Sequence, residues 1–205
     1  MSREADLAAY YDQEAERRAS RQIDPERLAR RDRFAALLAA EGRSRVLEVG
    51  TGPGVDAAAL QAGGVSVSGV DLSAEHVARC RAAGVDAHVA SVLALPFADH
   101  TFDAAWSMST LLHVPDDAFD RALHELRRVL VSGSLLAVGV WTGDDTEGPV
   151  EQDEFSPPRF FSFRSPERLR TMLGRHGVVE VSETWPSARS PALLYQWCLL
   201  RVAEL

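Results

Sequence analysis

The chain has 205 residues, of which 46% are hydrophobic and 25% charged, an ordinary composition for one globular domain with an extension. The net charge is −8, and it is uneven: 10 of the 22 basic residues but only 9 of the 30 acidic ones lie in residues 1–45. Because affinity for nucleic acid depends on cationic neutralisation, so acidic a body excludes DNA or RNA as an expected partner.

The sequence also lacks the marks of several other classes of protein. No apolar run approaches the ~20 residues that span a bilayer, and the N-terminus has acids where a secretory signal would be apolar, so we expect no membrane and a cytoplasmic location. The two cysteines, Cys80 and Cys198, form no Cys/His cluster, which predicts buried thiols, no disulfide and no metal site. All the basic residues are arginine, and the chain has no asparagine.

Two helices are predicted at the N-terminus. One covers residues 5–19, and the second is the segment "DPERLARRDRFAALLAAEG". Asp24 is its N-cap, Pro25 its first helical residue and Gly42 its stop. An apolar stripe along one face of the second helix predicts that it packs on the rest of the domain.

From residue 45 short strand-like runs alternate with helix-like segments. The predicted strands are 45–49, 65–70, 86–89, 102–108 and 135–141, and the predicted helices are 54–62, 73–83 and 117–130. Such alternation is typical of a parallel sheet that helices cover on both faces.

The C-terminal segment follows a different pattern. A helix begins after the N-cap Ser165, with Pro166 at its first position, and two strand-like runs follow at 178–185 and 192–202 without a helix between them. Two strands joined in this way pair antiparallel. The predicted fold is therefore a three-layer α/β sandwich with a mostly parallel seven-stranded sheet and a terminal antiparallel hairpin. The long irregular segment 144–160 is predicted to be a lid or a pocket wall.

Three glycines, Gly50, Gly52 and Gly54, follow the first strand and precede a helix. Removing side chains there lets the backbone approach a nucleotide-like cofactor at the strand ends. Asp71 lies 21 residues after Gly50, which would also suit the ribose of a dinucleotide. Against a dinucleotide, the third glycine of GxGxxG is replaced by Val55, and Glu48 directs a negative charge towards the turn. That charge would repel a pyrophosphate and attract a cationic cofactor.

Several segments in a fixed order resemble one family, the class I seven-stranded S-adenosylmethionine (SAM)-dependent methyltransferases, in particular the small ubiquinone-biosynthesis-like branch. These segments are "VLEVGTGPG", "GVDLS", "LPFADHTFDAAWSMSTLLHVPD", "ELRRVLVSGSLLAVGVW" and "FFSFRSPERLRTMLGRHGVVEVSET". Together with the stretches between them they extend over most of the chain after residue 45.

The resemblance implies a SAM site. Its implied residues are Tyr11, Glu48, Gly50, Thr51, Gly52, Asp71, Leu72, Ser91, Val92 and Ser107. Asp71 would bind the ribose hydroxyls and Leu72 would pack on the adenine, while the glycine backbone and Glu48 would hold the methionine part. The family usually has an aspartate where this chain has Ser91, so we expect cofactor affinity to be weaker by about 1 kcal/mol.

The methyl acceptor is expected to lie beside His113, which follows the fourth predicted strand. His113 is the candidate base, with an ordinary loop histidine as the alternative. The implied substrate pocket comprises Tyr10, Met108, His113, Trp141, Phe160 and Phe161, with core packing as the alternative for Met108. The other histidines, His76, His88, His100, His124 and His176, are expected to be solvated. Arg159 and Arg164 are candidates for binding a carboxylate or, alternatively, exposed surface residues.

The predicted function is SAM-dependent methylation, on oxygen or nitrogen, of a small, aromatic or apolar metabolite. Residues 1–44 are interpreted as an N-terminal helical lid and residues 45–205 as the SAM-binding domain; monomer and homodimer both remain open. The alternatives are a SAM-binding protein without catalysis, acting alone or as a partner subunit, and an NAD-dependent oxidoreductase. Methyltransferases of the NPPY type and of the metal-dependent catechol type need asparagine, which this chain lacks.

Overall fold

A seven-stranded mixed sheet forms the centre of the computed structural model, which describes residues 2–150, 153, 156, 158–186 and 193–203. The helices are α1 (Arg3–Ala19), α2 (Pro25–Ala40), α3 (Val55–Ala62), α4 (Ala74–Ala82), α5 (Asp116–Val129) and α6 (Pro166–Gly174). The strands are β1 (Arg45–Val49), β2 (Ser66–Asp71), β3 (Asp86–Val89), β4 (Phe102–Met108), β5 (Leu130–Trp141), β6 (Thr146–Pro149), β7 (Phe160–Phe163), β8 (Gly177–Pro186) and β9 (Leu194–Val202).

The strand order is β3-β2-β1-β4-β5-β9-β8. The first five strands of this order pair in parallel, whereas β9 pairs antiparallel with both β5 and β8. The predicted parallel sheet and the terminal antiparallel pair are therefore confirmed. From β1 the chain adds β2 and β3 on one side of the sheet and then β4 and β5 on the other, so the strand order switches direction between β1 and β4. The carboxyl ends of these two strands therefore flank a crevice, which is where α/β proteins bind ligands.

Side chains at the helix starts explain the helix boundaries. The carboxylate of Asp24 accepts a hydrogen bond from the Glu26 N–H at 2.9 Å, and Pro25 begins α2. The hydroxyl of Ser165 caps α6 in the same way. Each cap satisfies an N–H that the helix itself leaves free, so these predicted starts are confirmed.

Helices cover both faces of the sheet and complete the three layers. One face packs on α2, α3 and α4, and the other packs on α5 and α6. Phe34 and Leu38 of α2 are fully buried in the first of these two cores, against Trp106 of β4 and its neighbours. Thus α2 belongs to the sandwich, whereas α1 lies outside its three layers and contacts α4. The division of the chain at residue 44 stays an interpretation.

Two predicted boundaries need correction. β5 begins at Leu130 rather than 135, because α5 passes directly into it. The segment 144–160 was expected to be irregular, yet Thr146–Pro149 forms β6 and pairs antiparallel with β7. Residues 151–152, 154–155 and 157 of that segment, and the start of the strand predicted at 192, lie outside the described residues. In the part of the chain that is described, no helix combines the length and apolarity of a membrane span.

Candidate active site

The glycine turn lies where β1 ends, and hydrogen bonds tie it to β2. The N–H groups of Gly50 and Thr51 both donate to the carbonyl of Val70, at 2.8 and 3.1 Å. Gly50 has φ +74°, and a Cβ there would collide with the side chain of Thr110. Glycine is therefore required at this position both by backbone conformation and by packing.

Gly52, unlike Gly50, has free space where a side chain would begin. It has φ +54°, and a Cβ there would meet no atom within 4 Å. Its N–H donates to Oδ2 of Asp71 at 2.9 Å, while Oδ1 of Asp71 accepts from the N–H of Ser73 at 2.9 Å. Each carboxylate oxygen keeps a lone pair for a further donor. The bare backbone and the anchored carboxylate fit a nucleoside with a free diol.

The carboxyl group of Glu48 is buried, with 1% of the residue exposed, and Oε2 accepts a hydrogen bond from the Thr51 hydroxyl at 3.0 Å. Burial, and after it the nearby Asp56, raise the pKa of Glu48 to about 8. At pH 7 the group is therefore mostly protonated. This corrects the sequence argument that Glu48 directs a bare negative charge into the turn, since most of that charge is absent.

Asp56 connects three elements behind the turn, a role that no pattern in the sequence predicts. Its fully buried carboxylate accepts hydrogen bonds from Arg27 Nε at 2.8 Å, Arg31 Nη1 at 3.2 Å and Trp106 Nε1 at 3.0 Å. These bonds join α2 and β4 to the first turn of α3. The start of α3, and with it the glycine turn, is held in place by charge-assisted hydrogen bonds.

α1 crosses the carboxyl ends of the strands and bonds to the candidate cofactor residues. Asp12 accepts from the Ser73 hydroxyl at 2.6 Å and from the Glu75 N–H at 3.1 Å. At its other end, Glu4 accepts a hydrogen bond from the hydroxyl of Ser91. The Ser91 hydroxyl, which was expected to accept from the adenine amino group, thus donates its proton to α1 in this structure.

His113 and Tyr11 form a buried pair beneath α1. Nδ1 of His113 lies 2.8 Å from the carbonyl oxygen of Phe160, and Nε2 lies 2.7 Å from the Tyr11 hydroxyl. Since a carbonyl only accepts, we assign the proton to Nδ1, and Nε2 then accepts the Tyr11 proton. Burial lowers the pKa of His113 to about 4, so the ring is neutral at pH 7 with its basic nitrogen towards Tyr11.

Aromatic rings and arginines surround this pair. The ring of Phe161 lies 4.7 Å from that of His113, and Arg159 lies over both Phe161 and Tyr10, at 5.2 and 4.3 Å. Arg3 lies 4.1 Å over the Phe160 ring. A cavity of about 40 Å³ remains between these groups, which is far below the ~300 Å³ of a typical small-molecule pocket. α1 is therefore closed on the site.

Comparison with known proteins agrees with this geometry. Residues 46–133 match a family described as a methyltransferase domain. The chain is 36% identical over 103 residues to a protein named methyltransferase GfsG from Streptomyces halstedii, covering 46% of this chain and 36% of that one. It is 32% identical over 169 residues to the 2-methyl-6-phytyl-1,4-hydroquinone methyltransferase of Synechocystis sp., covering 73% and 52%. The chain thus spans about half of these relatives' length or less.

A solved structure shares the fold over almost the whole chain. It is the 1,6-didemethyltoxoflavin-N1-methyltransferase of Burkholderia thailandensis with S-adenosylhomocysteine bound, at a TM-score of 0.76 and 22% identity, covering 98% of this chain and 88% of that one. The chain thus resembles the methyltransferase-domain family over residues 46–133 and shares its fold with that enzyme. The Gly50–Gly54 turn and Asp71 occupy the ends of β1 and β2 within these residues.

The remaining cofactor candidates lie close to the same edge of the sheet. Leu72 follows β2 and is partly exposed, and Val92 is 8% exposed beside Ser91. Ser107 lies near the end of β4, where its buried hydroxyl has no hydrogen-bond partner among the described residues.

Two of the predicted pocket residues belong to a different cluster. Trp141 packs edge-on against Tyr195 with ring centroids 4.9 Å apart, and the hydroxyl of Tyr195 lies 3.8 Å from the sulfur of Met108. Tyr195 comes from β9 and was not singled out in the sequence. It also bonds to Ser109 at 3.0 Å, at the carboxyl end of β4. Phe161 contacts His113 through its ring and Phe160 contacts it through its carbonyl oxygen, whereas Trp141 packs on Tyr195.

Three expectations of exposure are wrong. His76 and His176 are each 2% exposed, because α1 covers the first and Asp120 of α5 accepts a hydrogen bond from the second at 2.8 Å. Arg164 is also 2% exposed, and its guanidinium donates to Asp116 and to the carbonyls of Leu111 and Val114. It therefore shapes the turn that carries His113 and is not free for a substrate.

Arg159 is partly buried and donates to Asp153 at 2.7 Å. It is therefore not the exposed surface residue that was one of the two expectations, and its charge is already paired within the chain. The cysteines agree with their prediction: Cys80 and Cys198 are free and buried, and burial raises the pKa of each thiol to about 11.

Proposed function

We propose that this protein transfers the methyl group of SAM to an oxygen or nitrogen atom of a small acceptor. The observation that carries the proposal is the arrangement at the ends of β1 and β2. There the open backbone of Gly52 and the anchored carboxylate of Asp71 lie under the same helix whose Tyr11 reaches His113. One face of the site suits a nucleoside and the other suits a proton transfer.

On the cofactor side, the turn and the strand ends supply the binding groups. Bound SAM supplies a methyl group made electrophilic by its sulfonium. The backbone of Gly50, Thr51 and Gly52 would hold the methionine part, and the Glu48 carboxyl, which Thr51 orients, would act on its amino end. Asp71 would accept from the ribose hydroxyls. The further contacts we propose to the adenosine are at Tyr11, Leu72, Ser91, Val92 and Ser107.

On the acceptor side, the chain has to align the nucleophile, exclude water and accept one proton. Nε2 of His113 is unprotonated at pH 7, because burial lowers the pKa of that ring. The Tyr11 hydroxyl bonds to Nε2 and has lone pairs left, so a proton leaving the acceptor can reach His113 directly or through Tyr11. The hydrogen bond from Nδ1 to Phe160 fixes the ring for this task.

The aromatic surroundings support a small acceptor with a flat or apolar body. Phe160, Phe161 and Tyr10 contact the His113 side of the site, and we assign them to the acceptor pocket together with Met108 and Trp141. The ubiquinone-biosynthesis-like branch is supported by the similarity to a relative whose name specifies a hydroquinone. We place this chain in that branch as part of the proposal.

A SAM-binding protein without turnover is the second candidate function. It is favoured by Ser91, which replaces the usual aspartate, and by the contact that Glu4 makes with it. Both features would weaken the hold on the adenine without affecting the fold. This candidate and the enzyme differ in whether methyl transfer follows binding.

Calorimetric titration with SAM and, separately, with NAD is the first test. We expect micromolar binding of SAM alone, strongly weakened in Asp71→Asn and kept in the control Asp86→Asn, whose carboxylate lies on β3 and is exposed. Binding of NAD, or of neither, would contradict the proposal.

A panel of phenols, hydroquinones and heteroaromatic amines, followed by product mass, then tests for turnover. A gain of one methyl mass, reduced more than tenfold in His113→Gln with SAM binding unchanged, supports catalysis. SAM binding without transfer to any member of a broad panel favours the second candidate.

A further inference from the structure

His76 is a buried histidine whose ring is not satisfied. Its side chain is 3% exposed, and neither ring nitrogen has a hydrogen-bond partner among the described residues. Buried polar groups are normally paired, and an unpaired one lowers the stability of the fold. A leucine or methionine would fill the same space on α4 without that loss. The ring therefore needs a hydrogen-bond partner that the described residues do not supply.

The surroundings of His76 are those of the candidate ribose site. Nδ1 lies 3.5 Å from Oδ2 of Asp71, too far and too poorly aligned for a hydrogen bond. On the opposite side the ring of Tyr11 lies 5.8 Å away, centroid to centroid. At the N-cap of α4, the hydroxyl of Ser73 donates to Asp12 of α1. His76 thus lies between the carboxylate of Asp71 and the covering helix.

The chemistry of a ribose explains why a carboxylate alone is insufficient. Two neighbouring hydroxyl groups offer two O–H donors and two oxygen acceptors. Asp71 accepts only, so it can bind the donors and leaves the hydroxyl oxygens without a donor from the protein. An imidazole N–H is such a donor, and one nitrogen of His76 carries a proton in every tautomer.

A metal site is the main alternative for an unpaired histidine, and the neighbours of His76 do not form one. Within the described residues, the cluster with the spacing of metal ligands is Asp120, His124 and His176, on α5 and after α6. Cys80, which is one turn further along α4, bonds instead to the Gly52 carbonyl at 3.2 Å.

We propose that His76 is a second ribose-recognition residue, which donates a hydrogen bond to a ribose hydroxyl oxygen while Asp71 accepts from the hydroxyl groups. This inference rests on the proposed SAM-binding function and adds a residue to it. Because the side chains of His76 and Asp71 are only 3% and 10% exposed and Tyr11 of α1 packs on the His76 ring, α1 has to move away before a nucleoside reaches either of them. Movement of Tyr11 off the ring would uncover His76 to the ligand at the same time as Asp71.

The test compares His76→Leu with His88→Leu, a control on β3 that is partly exposed. S-adenosylhomocysteine (SAH) is titrated by calorimetry, and the melting temperature is measured without ligand. We expect His76→Leu to bind SAH about tenfold more weakly while its melting temperature stays equal or rises, since the unpaired group is gone. His76→Gln, which keeps one donor, should recover part of the affinity. The control should change neither quantity.

A second measurement asks whether His76 acts on the ribose. Wild type should bind the 2′-deoxy or the 3′-deoxy analogue of SAH more weakly than SAH, and His76→Leu should lose most of that discrimination for one of them. In a double-mutant cycle with Asp71→Asn, the combined loss of SAH affinity should be smaller than the product of the single losses, because both residues bind one sugar.

The outcomes separate this inference from the proposed function. If wild type fails to bind SAH, the proposed function itself fails. If wild type binds and His76→Leu binds equally well, the proposed function stands and the role of His76 is overturned. A lower melting temperature in His76→Leu, with unchanged discrimination between SAH and its deoxy analogues, would make His76 a packing residue and would also overturn the inference.

Discussion

Glu48→Gln should make the ligand-free protein more stable at neutral pH. Glu48 is buried, and its pKa rises from 4.5 to about 8 in the folded chain. The folded state therefore holds a proton that the unfolded state releases, so stability is full below pH 4.5 and is lost as the pH rises towards 8. Glutamine has nearly the same shape and can still accept from Thr51, but it has no proton to lose.

The difference in the free energy of unfolding between Glu48→Gln and wild type depends on pH in a defined way. With folded and unfolded pKa values of about 8 and 4.5, the linkage relation gives Glu48→Gln an advantage of about 1 kcal/mol at pH 5. The advantage grows to about 3 kcal/mol at pH 7 and about 4 kcal/mol at pH 8. The titrating groups that lie away from Glu48 are common to both proteins and cancel in the difference.

Urea unfolding of both proteins at pH 5, 6, 7 and 8, followed by tryptophan fluorescence, measures this difference directly. The exposed Glu16→Gln is the matched control, and its difference from wild type should not change with pH. Parallel curves for Glu48→Gln and wild type would refute the reasoning, because Glu48 would then be ionised in the folded protein. Such a stabilisation at a binding site is the usual sign of a residue retained for function.

Three further predictions concern the glycine turn, the ion cluster behind it and the buried histidine. Gly52→Ala should cost about 1 kcal/mol of stability and abolish SAM binding, whereas Gly50→Ala should cost about 3 kcal/mol because its Cβ also collides with packed atoms; equal melting temperatures would contradict this. Asp56→Ala should lower the free energy of unfolding, measured in urea, by about 3–5 kcal/mol, because it leaves the arginines bound to Asp56 without their carboxylate partner. The exposed Asp32→Ala is the control and should lower it by less than about 0.5 kcal/mol, and a similarly small effect of Asp56→Ala would show that water replaces the lost carboxylate. His113 has its pKa lowered from 6.5 to about 4, so wild type should lose about 3 kcal/mol more than His113→Gln between pH 7 and pH 4, and parallel unfolding curves would argue against a neutral buried ring.

Much of the fold was predictable because its signals are local. Each parallel strand was placed to within a residue or so except for the start of β5, since glycine, proline and serine punctuate the chain at the helix and strand ends. The antiparallel pairing of β8 and β9 followed from the missing helix between them. The short strand β6 was not predictable in the same way, because its sequence, Thr146–Pro149, has no strand pattern and is held by pairing with β7.

The site was only partly predictable because its burial depends on distant segments. Asp56 resembles any acid in the first turn of a helix, yet Trp106, which is 50 residues away, binds it. His76 lies on a polar helix that looks solvent-exposed, and only the arrival of α1 buries it. The raised pKa of Glu48 likewise comes from burial, and a carboxylate at the end of a strand carries no sequence signal of being buried.

The bonds that α1 makes to Ser73 and Ser91 affect how measured affinities should be interpreted. Because Asp12 and Glu4 occupy groups at the nucleoside side of the site, the closed arrangement and the bound cofactor compete for the same surface. A protein that is closed 99% of the time binds with an apparent dissociation constant about a hundredfold weaker than its open form. A tag or truncation at the N-terminus that loosens α1 would then raise the apparent affinity while leaving the contacts of the glycine turn and Asp71 intact, so affinities from differently tagged preparations would not be comparable.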